Sequence, residues 1–290
     1  MSCSSVWANC TIRSLPPTSP SWQVSGQLRS THESSTSPAF GLALFCRARR
    51  CGPAGLTRQY LSRHSQLGTI LVAYQHRYLD GSPLALPIGK VVCIGRNYLD
   101  HIRELNNAVP ETPILFMKPA TALAGLDEAI RLPAGRGECH HEVELAVLVD
   151  RELRNADTDT ARTAVAGYGI ALDLTLRDLQ NDLKKKGHPW ETAKAFDGAC
   201  PLSTFLHPEA LPEPQATELA LRVNGELRQQ GNTRQMMVGI FELMAYISTH
   251  FTLQPGDVVL TGTPSGVGPL ASGDVLTLSL AGHDFSARVA

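Results

Sequence analysis

The chain has 290 residues, of which 43% are hydrophobic and 18% are charged, and its formal net charge is −1. These values are typical of a folded globular protein, and they argue against global disorder and against a general nucleic-acid binder. No apolar run approaches the length of a membrane-spanning helix, and we predict no membrane partner. The seven cysteines include no CxxC pair, which favours a reducing, cytoplasmic location over a disulfide framework.

Residues 1–70 have the composition of a disordered or non-native extension. Residues 1–65 carry seven arginines, no lysine and one acid, Glu33, so their net charge of +6 leaves −7 on the rest of the chain. Such a composition also occurs in organellar targeting segments, but Pro16, Pro17 and Pro20 would interrupt an amphipathic helix. We therefore prefer the extension and predict one folded domain over residues 71–290.

The predicted elements of this domain are mostly strands. In chain order, the pattern predicts strands at residues 90–94, 114–117, 142–149, 167–172, 218–223 and 258–260, and two strands within 274–289. One helix is predicted to begin after Asn97, which would cap its N-terminus. Three more are predicted at residues 157–166, 175–186 and 238–251, and Asp157 or Thr158 would cap the first of these three. Asn224-Gly225 indicates a β-hairpin. Because strands and helices do not alternate regularly, we predict an α+β fold rather than a doubly wound sheet.

Three acidic residues at predicted strand ends could form a metal site. Glu142 and Glu144 would point to the same side of a strand, about 7 Å apart. Two like charges on one face are unfavourable unless a cation lies between them, and carboxylate oxygens suit Mg²⁺ better than zinc. The pair alone is better explained as a solvated edge, and Asp173 alone as a helix cap. Together, the three acids could supply the protein ligands of a magnesium ion.

Other residues are candidates for proton transfer or substrate binding. His101 and Glu104 would share one helix face, where the carboxylate could orient the imidazole as a general base; a surface pair is the alternative. Lys194 is a lone cation in a stretch of small and apolar residues. The run Lys184–Lys186 is predicted to face solvent. The Gly/Thr loop at residues 260–269 could bind an oxyanion, although an ordinary turn is the alternative.

Taken together and in this order, these segments resemble the fumarylacetoacetate hydrolase family. The resemblance extends from Lys90 to the C-terminus and is strongest to the small, single-domain branch that includes acylpyruvate hydrolases and oxaloacetate decarboxylases. The motifs that carry it are Gly95-Arg-Asn-Tyr-x-x-His101-x-x-Glu104, Phe116-x-Lys-Pro119, His141-Glu-x-Glu144, Leu172-Asp173, Lys184-Lys-Lys-Gly187, Lys194 and Leu260-Thr-Gly-Thr-Pro-x-Gly-Val-Gly-Pro269.

The resemblance implies a fold, an assembly and a cofactor. The fold would be a mixed β-roll with few short helices, and the protein would form a homodimer. Mg²⁺ or Mn²⁺ would be bound by the acids Glu142, Glu144 and Asp173.

The resemblance also implies roles for individual residues. His101 and Glu104 would form a dyad on a short helix that orders as a lid over the substrate. Lys194 would lie beside the metal and contact a substrate oxygen. Residues that would line the substrate pocket are Arg96, Gln180 and Thr263.

The expected substrate is therefore a small 2-keto acid. We predict hydrolysis of a C–C bond in acylpyruvates or related β-diketo acids, with the metal stabilising a pyruvate enolate. Oxaloacetate decarboxylation or keto–enol tautomerisation on the same site is the alternative. A keto-acid binder without catalysis is a third hypothesis, against which the intact His101, Glu104 and Lys194 count.

Overall fold

A computed structural model describes residues 74–290, and the predicted extension over residues 1–70 lies outside the described residues. Within the described range the chain forms fifteen strands, five α-helices and four 3₁₀ turns. The strands are β1 Val91–Gly95, β2 Ile114–Lys118, β3 Leu123–Gly125, β4 Ala129–Ile130, β5 Cys139–His141, β6 Val143–Val149, β7 Val165–Leu172, β8 Thr175–Leu176, β9 Cys200–Leu202, β10 Glu218–Val223, β11 Glu226–Asn232, β12 Val258–Leu260, β13 Gly268–Pro269, β14 Val275–Leu280 and β15 His283–Val289. The helices are α1 Leu99–Glu104, α2 Thr158–Arg162, α3 Arg177–Lys186, α4 Glu191–Lys194 and α5 Ile240–His250. Among the described residues, no helix combines the length and the apolar character needed to cross a membrane.

The largest sheet has seven strands in the order β2-β1-β12-β6-β7-β9-β3. It is mixed, because β1 pairs with β12 in parallel while β12 and β6 are antiparallel. Successive side chains of a strand point to opposite faces, and here both faces are covered. In β1, Val92 and Ile94 belong to the larger apolar cluster, whereas Val91 and Cys93 belong to a second cluster on the other side. This burial on both faces explains why the central strands are apolar throughout.

Two further sheets complete the mixed, curled architecture. A five-stranded sheet has the order β11-β10-β14-β15-β4, and a small sheet of three short strands has the order β13-β5-β8. The β10–β11 hairpin turns at Asn224 and Gly225, which have φ values of 52° and 83°, as expected for a type I′ turn. The α+β class and the mixed β-roll are confirmed. The small sheet adjoins β6 and β7 at the end where the candidate site lies.

Several predicted elements are confirmed, with shifted ends. Helix α2 begins at Thr158 and Asp157 caps it, since its carboxylate accepts a hydrogen bond of 2.8 Å from the Thr160 N–H. Helix α3 ends at Lys186, and the next residue, Gly187, has a left-handed φ of 66°. The predicted start of α3 at Thr175 is wrong, because Thr175 pairs with His140 in the small sheet. The helix therefore begins two residues later than the pattern indicated.

The predicted capping role of Asn97 is also wrong. Helix α1 begins after Tyr98, and no side chain caps its first turn. The Asn97 amide instead donates to the carbonyl oxygens of Val238, at 3.0 Å, and Thr261, at 2.9 Å. Its oxygen accepts from the Val238 N–H at 2.8 Å. Asn97 thus ties the start of α1 to two segments that are distant in sequence.

Candidate active site

The three acids meet where β6 and β7 pair next to the small sheet. Glu142 precedes β6, Glu144 lies within it, and Asp173 follows β7 directly. The Asp173 N–H donates to the Glu142 carbonyl oxygen at 2.8 Å, so the two residues face each other across the strand pair. One carboxylate oxygen from each acid lies within 4.8 Å of the others. The residues are only 1–4% exposed, so their charges are almost completely removed from water.

Three buried cations face this acidic cluster of Glu142, Glu144 and Asp173. Lys194 donates from Nζ to Glu142 Oε2 at 2.7 Å and to Asp173 Oδ2 at 2.6 Å. Lys118 Nζ lies 2.7 Å from Asp173 Oδ1, and Arg177 forms an ion pair with Glu142. If all six groups are ionised, their charges cancel. Glu142 and Asp173 are tolerated in this buried cluster because each has partners of opposite charge.

The buried cations do not stabilise the three carboxylates equally. Burial opposes ionisation of Glu142, but Lys194 and Arg177 hold its pKa well below the usual value. Burial, together with the negative charges of Asp173 and Glu142, raises the pKa of Glu144 well above its usual value. The carboxylate of Glu144 accepts a backbone hydrogen bond of 2.6 Å from Gly262.

This donor set fits a hard divalent cation. Three carboxylates supply oxygen ligands of the kind that Mg²⁺ and Mn²⁺ prefer. A cation between them would also relieve the repulsion that raises the pKa of Glu144. The residues that would hold it are Glu142, Glu144 and Asp173.

His101 and Glu104 form the predicted pair on α1. The imidazole is 6% exposed, and its Nδ1 lies 3.3 Å from Glu104 Oε2. The other oxygen of Glu104 accepts a hydrogen bond of 2.9 Å from the Gly266 N–H. Burial lowers the pKa of His101, and the negative charges of Glu142 and Glu104 offset this only in part. The imidazole is therefore neutral near pH 7, and with the proton on Nδ1 its Nε2 is free to accept one.

A single cleft joins the predicted residues. It is partly open to solvent and its enclosed volume is about 30 Å³, so a ligand would also fill the open mouth. Every site residue predicted from the sequence lines it, apart from Glu104, which lies behind His101 next to an adjoining depression. The predicted site residues that line the cleft are Arg96, His101, Glu142, Glu144, Asp173, Gln180, Lys194 and Thr263.

The predicted pocket residues have defined partners. Arg177 donates from Nη1 to Gln180 Oε1 at 2.8 Å, which leaves the amide N–H groups of Gln180 available. Arg96 has a left-handed backbone, with a φ of 63°. Its guanidinium donates at 3.2 Å to Asn107 Oδ1 and to the Ala108 carbonyl oxygen. Arg96 therefore connects the segment before α1 to the segment after it.

Sequence reasoning missed several cations of the site. The sequence pattern predicts no role for Arg177, and none for Lys118, although Lys118 lies in the Phe116-x-Lys-Pro119 motif. The prediction that Lys184 faces solvent is wrong, because this residue lines the cleft and its Nζ lies 5.3 Å from the centre of the Trp190 ring. Partial burial and the nearby charge of Arg177 lower the pKa of Lys184 to about 8. Lys185 and Lys186 are exposed, as predicted.

Comparison with known proteins yields a consistent group of relatives. Residues 90–289 match the family model described as "Fumarylacetoacetate (FAA) hydrolase C-terminal". The chain is 56% identical to oxaloacetate tautomerase YcgM of Escherichia coli over 217 residues, which cover 74% of this chain and 99% of that protein. It is 45% identical over 192 residues to the human protein "Oxaloacetate tautomerase FAHD1, mitochondrial", covering 66% of this chain and 87% of that protein.

A solved structure with bound ligands is among the similar folds. It is fumarylpyruvate hydrolase from Pseudomonas aeruginosa in complex with Mn²⁺ and pyruvate. The TM-score is 0.71 at 33% identity, and the match covers 77% of this chain and 98% of that one.

Proposed function

This chain belongs to the fumarylacetoacetate hydrolase family, and from that premise we propose that it catalyses keto–enol tautomerisation of oxaloacetate with a divalent cation. The relatives named oxaloacetate tautomerase support this choice over acylpyruvate hydrolysis, which the sequence motifs alone favoured. Both reactions need a 2-keto acid held beside a general base. They differ in whether a C–C bond breaks and whether water is consumed.

The charge balance of the cleft is the observation that carries the proposal. When all three carboxylates of the acidic cluster are ionised, as metal binding requires, they equal in number the three cations that pair with Glu142 and Asp173: Lys118, Arg177 and Lys194. A divalent ion would add two positive charges, and Arg96 and Lys184 also line the cleft, so the metal-loaded cleft would favour a ligand with two negative charges. Oxaloacetate is such a dianion. Lys184 and Arg96 could pair with a second carboxylate of the ligand.

The residues of the chain suit a proton transfer between carbon and oxygen. Bound Mg²⁺ or Mn²⁺ would polarise the keto and carboxylate oxygens of a 2-keto acid and make its C3 protons more acidic. His101 Nε2 would take the C3 proton, and Glu104 would stabilise the imidazolium that forms. Lys194 would donate a hydrogen bond to the oxygen on which negative charge develops. Return of a proton to that oxygen completes the enol, and no water enters the reaction.

Hydrolysis of acylpyruvates is the second candidate function. It is favoured by the similarity to a fumarylpyruvate hydrolase solved with Mn²⁺ and pyruvate. In this reaction His101 would take its proton from a water molecule, not from a carbon atom. The activated water would then attack the distal carbonyl. Oxaloacetate decarboxylation would need neither the water nor the attack, and it is a third activity that the same cleft could support.

Direct assays can separate these activities. Enol oxaloacetate is mixed with the protein in the presence of Mg²⁺, Mn²⁺ or EDTA, and the enol absorbance is followed against protein-free blanks. We expect both ions to give enzyme-dependent loss of the enol and EDTA to abolish it. Acetylpyruvate hydrolysis and CO₂ release from oxaloacetate are measured in parallel. Faster turnover of acetylpyruvate would replace this proposal with acylpyruvate hydrolysis. No turnover of any substrate would favour a keto-acid binder without catalysis.

Assembly and location also belong to the proposal. We propose a homodimer, which light scattering of the purified protein tests directly. Within the described part of the chain the cysteines Cys93, Cys139 and Cys200 are free and buried, and this supports a reducing compartment. We propose the cytoplasm, with an organelle as the alternative because one relative is named as mitochondrial. Fractionation of cells that express the full chain distinguishes the two.

A further inference from the structure

Gln229 on β11 is a buried amide whose hydrogen-bonding capacity is fully used. It is 1% exposed. Its Oε1 accepts from His141 Nδ1 at 2.9 Å and from the Val143 N–H at 3.0 Å. Its Nε2 donates to Thr263 Oγ1 at 2.8 Å and to the Pro264 carbonyl oxygen at 2.9 Å. One side chain therefore joins the strand of the acidic cluster to the loop after β12, and neither partner segment is near it in sequence.

The orientation of this amide follows from its two backbone partners. A backbone N–H can only donate, so the atom of Gln229 that faces Val143 N is the oxygen. A carbonyl oxygen can only accept, so the atom that faces Pro264 is the nitrogen. The Gln229 oxygen then requires a proton on His141 Nδ1, and the Gln229 nitrogen requires Thr263 Oγ1 to accept.

This arrangement leaves the Thr263 hydroxyl no proton for a ligand. The hydroxyl donates its only proton to the Val143 carbonyl oxygen at 2.8 Å, while the Pro264 oxygen at 3.5 Å is too distant to compete. Gln229 donates to one lone pair of Thr263 Oγ1, so only the second lone pair is available to a ligand. Thr263 lines the cleft, so towards a ligand its hydroxyl can act only as an acceptor.

We propose that Gln229 is a positioning residue that holds the Thr263 hydroxyl as a hydrogen-bond acceptor, so that the cleft prefers a ligand with a hydroxyl group, such as the enol tautomer, over one that offers only acceptors. This inference rests on the proposed keto–enol activity for its biological meaning. The carboxylates and the keto group of oxaloacetate offer only acceptors, whereas its enol offers one O–H donor.

The test compares two non-reacting dicarboxylates that differ by one hydroxyl. Calorimetry with Mg²⁺-saturated protein measures the Kd of each malate enantiomer and of succinate, and the ratio of Kd for succinate to Kd for malate defines the hydroxyl preference. We expect Thr263→Val to lower this preference about tenfold, the value of one hydrogen bond. Thr263→Ser should keep it. Gln229→Leu should lower it at least about threefold, because the Gln229 N–H no longer fixes the orientation of the Thr263 hydroxyl and of its remaining lone pair.

Matched controls separate this role from a purely structural one. Gln230→Leu changes an exposed residue next to Gln229 on the same strand and should keep the wild-type preference. If Gln229→Leu weakens malate and succinate by the same factor, Gln229 only supports the loop and the proposal is overturned. Absence of any preference change in Thr263→Val would overturn it as well.

A measurement on the unmodified protein tests the hydrogen-bond order directly. We expect ¹⁵N NMR of the histidine side chains to show the proton of His141 on Nδ1, and a proton on Nε2 alone would contradict the assignment of the amide. This result does not depend on whether Gln229→Leu folds. If the protein lacks tautomerase activity but keeps the hydroxyl preference, the proposed function fails while this inference stands. Tautomerase activity without the hydroxyl preference would overturn this inference and leave the proposed function intact.

Discussion

The acidic cluster and helix α1 face the same cleft, but the protein holds them in contrasting ways. Glu144 lies in β6 of the largest sheet, Glu142 and Asp173 adjoin the ends of β6 and β7, and each acid is at most 4% exposed. Buried lysine and arginine side chains bind Glu142 and Asp173. Helix α1 has six residues and no side-chain cap. Its bonds to the rest of the chain come mainly from Asn97 before it and from Glu104 near its end.

The difference separates two tasks of the site. A cation site gains from fixed, dehydrated charges, because no reorganisation is needed when the ion binds. A base that must approach a substrate gains from an element that can shift, and short, weakly capped helices are such elements. We therefore expect changes in the cluster to abolish metal binding, and changes in α1 to slow proton transfer while the metal stays bound.

Removing one acid should have the largest effect. Glu144→Ala should abolish binding of Mg²⁺ and Mn²⁺ and lower kcat/KM at least about a thousandfold, since the metal provides several kcal/mol of stabilisation. In the wild type, a hundredfold excess of ion over Kd should stabilise the fold by about 2–3 kcal/mol. Thermal melts with Mg²⁺ and with EDTA measure this, and Glu138→Ala, an exposed acid just before β5, serves as the control. Identical melts of the wild type in both buffers would contradict the metal site.

Removing the imidazole should come next. His101→Ala should slow tautomerisation about 10²–10⁴-fold, the usual cost of losing a general base. The Kd for Mn²⁺ should be unchanged, because His101 lies on α1 and the ligands lie on the sheet. Decarboxylation of oxaloacetate should fall less, since it requires no proton to be taken from carbon. Equal losses in both activities would show that His101 places the substrate instead. His188→Ala, at an exposed histidine, controls for general damage.

Lys184 tests the link between the two regions, because it lies on α3 and lines the same cleft as the acidic cluster and His101. Lys184→Gln should raise KM for oxaloacetate about tenfold and change kcat little, as expected for loss of one charged hydrogen bond. In the wild type, KM should rise as the pH passes the Lys184 pKa of about 8, since the neutral amine no longer attracts a carboxylate. The exposed neighbour supplies the control Lys185→Gln. A KM that stays constant in Lys184→Gln would remove this residue from substrate binding.

Glu104→Gln should have a milder effect than loss of the imidazole. The amide keeps the size of the side chain but loses the charge that stabilises the imidazolium, so we expect kcat to fall about tenfold at unchanged metal affinity. A loss as large as that of His101→Ala would mean that Glu104 holds α1 in place, since its carboxylate also accepts from Gly266. Circular dichroism and melting temperature of the variant distinguish these two causes.

The smallest expected effect is on the pH dependence of kcat/KM, where only the acidic midpoint should shift. Burial lowers the pKa of His101, while Glu142 and Glu104 raise it and Arg177 lowers it further. The base must be unprotonated to act, so kcat/KM should fall as the pH decreases through this lowered pKa. We expect the acidic midpoint below 6.5, the usual value for histidine. A midpoint above 6.5 would show that the two carboxylates outweigh burial.

Local patterns predicted much of the fold and most of the candidate site. The apolar run of β7, the Asn224-Gly225 turn and the Asp157 cap depend on neighbours within a few residues, and each is confirmed. Asn97 fits a capping pattern equally well, but its partners are Val238 and Thr261. Propensity describes what a residue can do locally and carries no information about a competing partner that lies more than a hundred residues away.

The order of residues is enough to identify which side chains bear charge and where strands end, and it places Glu142, Glu144 and Asp173 at such ends. How these charges are balanced depends on the folded arrangement of the chain. The local sequence around Lys118 and Arg177 does not indicate an acidic partner, and they become partners of the cluster because the sheet and helix α3 bring them there. Lys184 likewise belongs to a run with the pattern of a solvated face, yet α3 turns this one residue to the cleft. Burial and charge pairing are properties of three-dimensional neighbours, so composition and spacing cannot specify them.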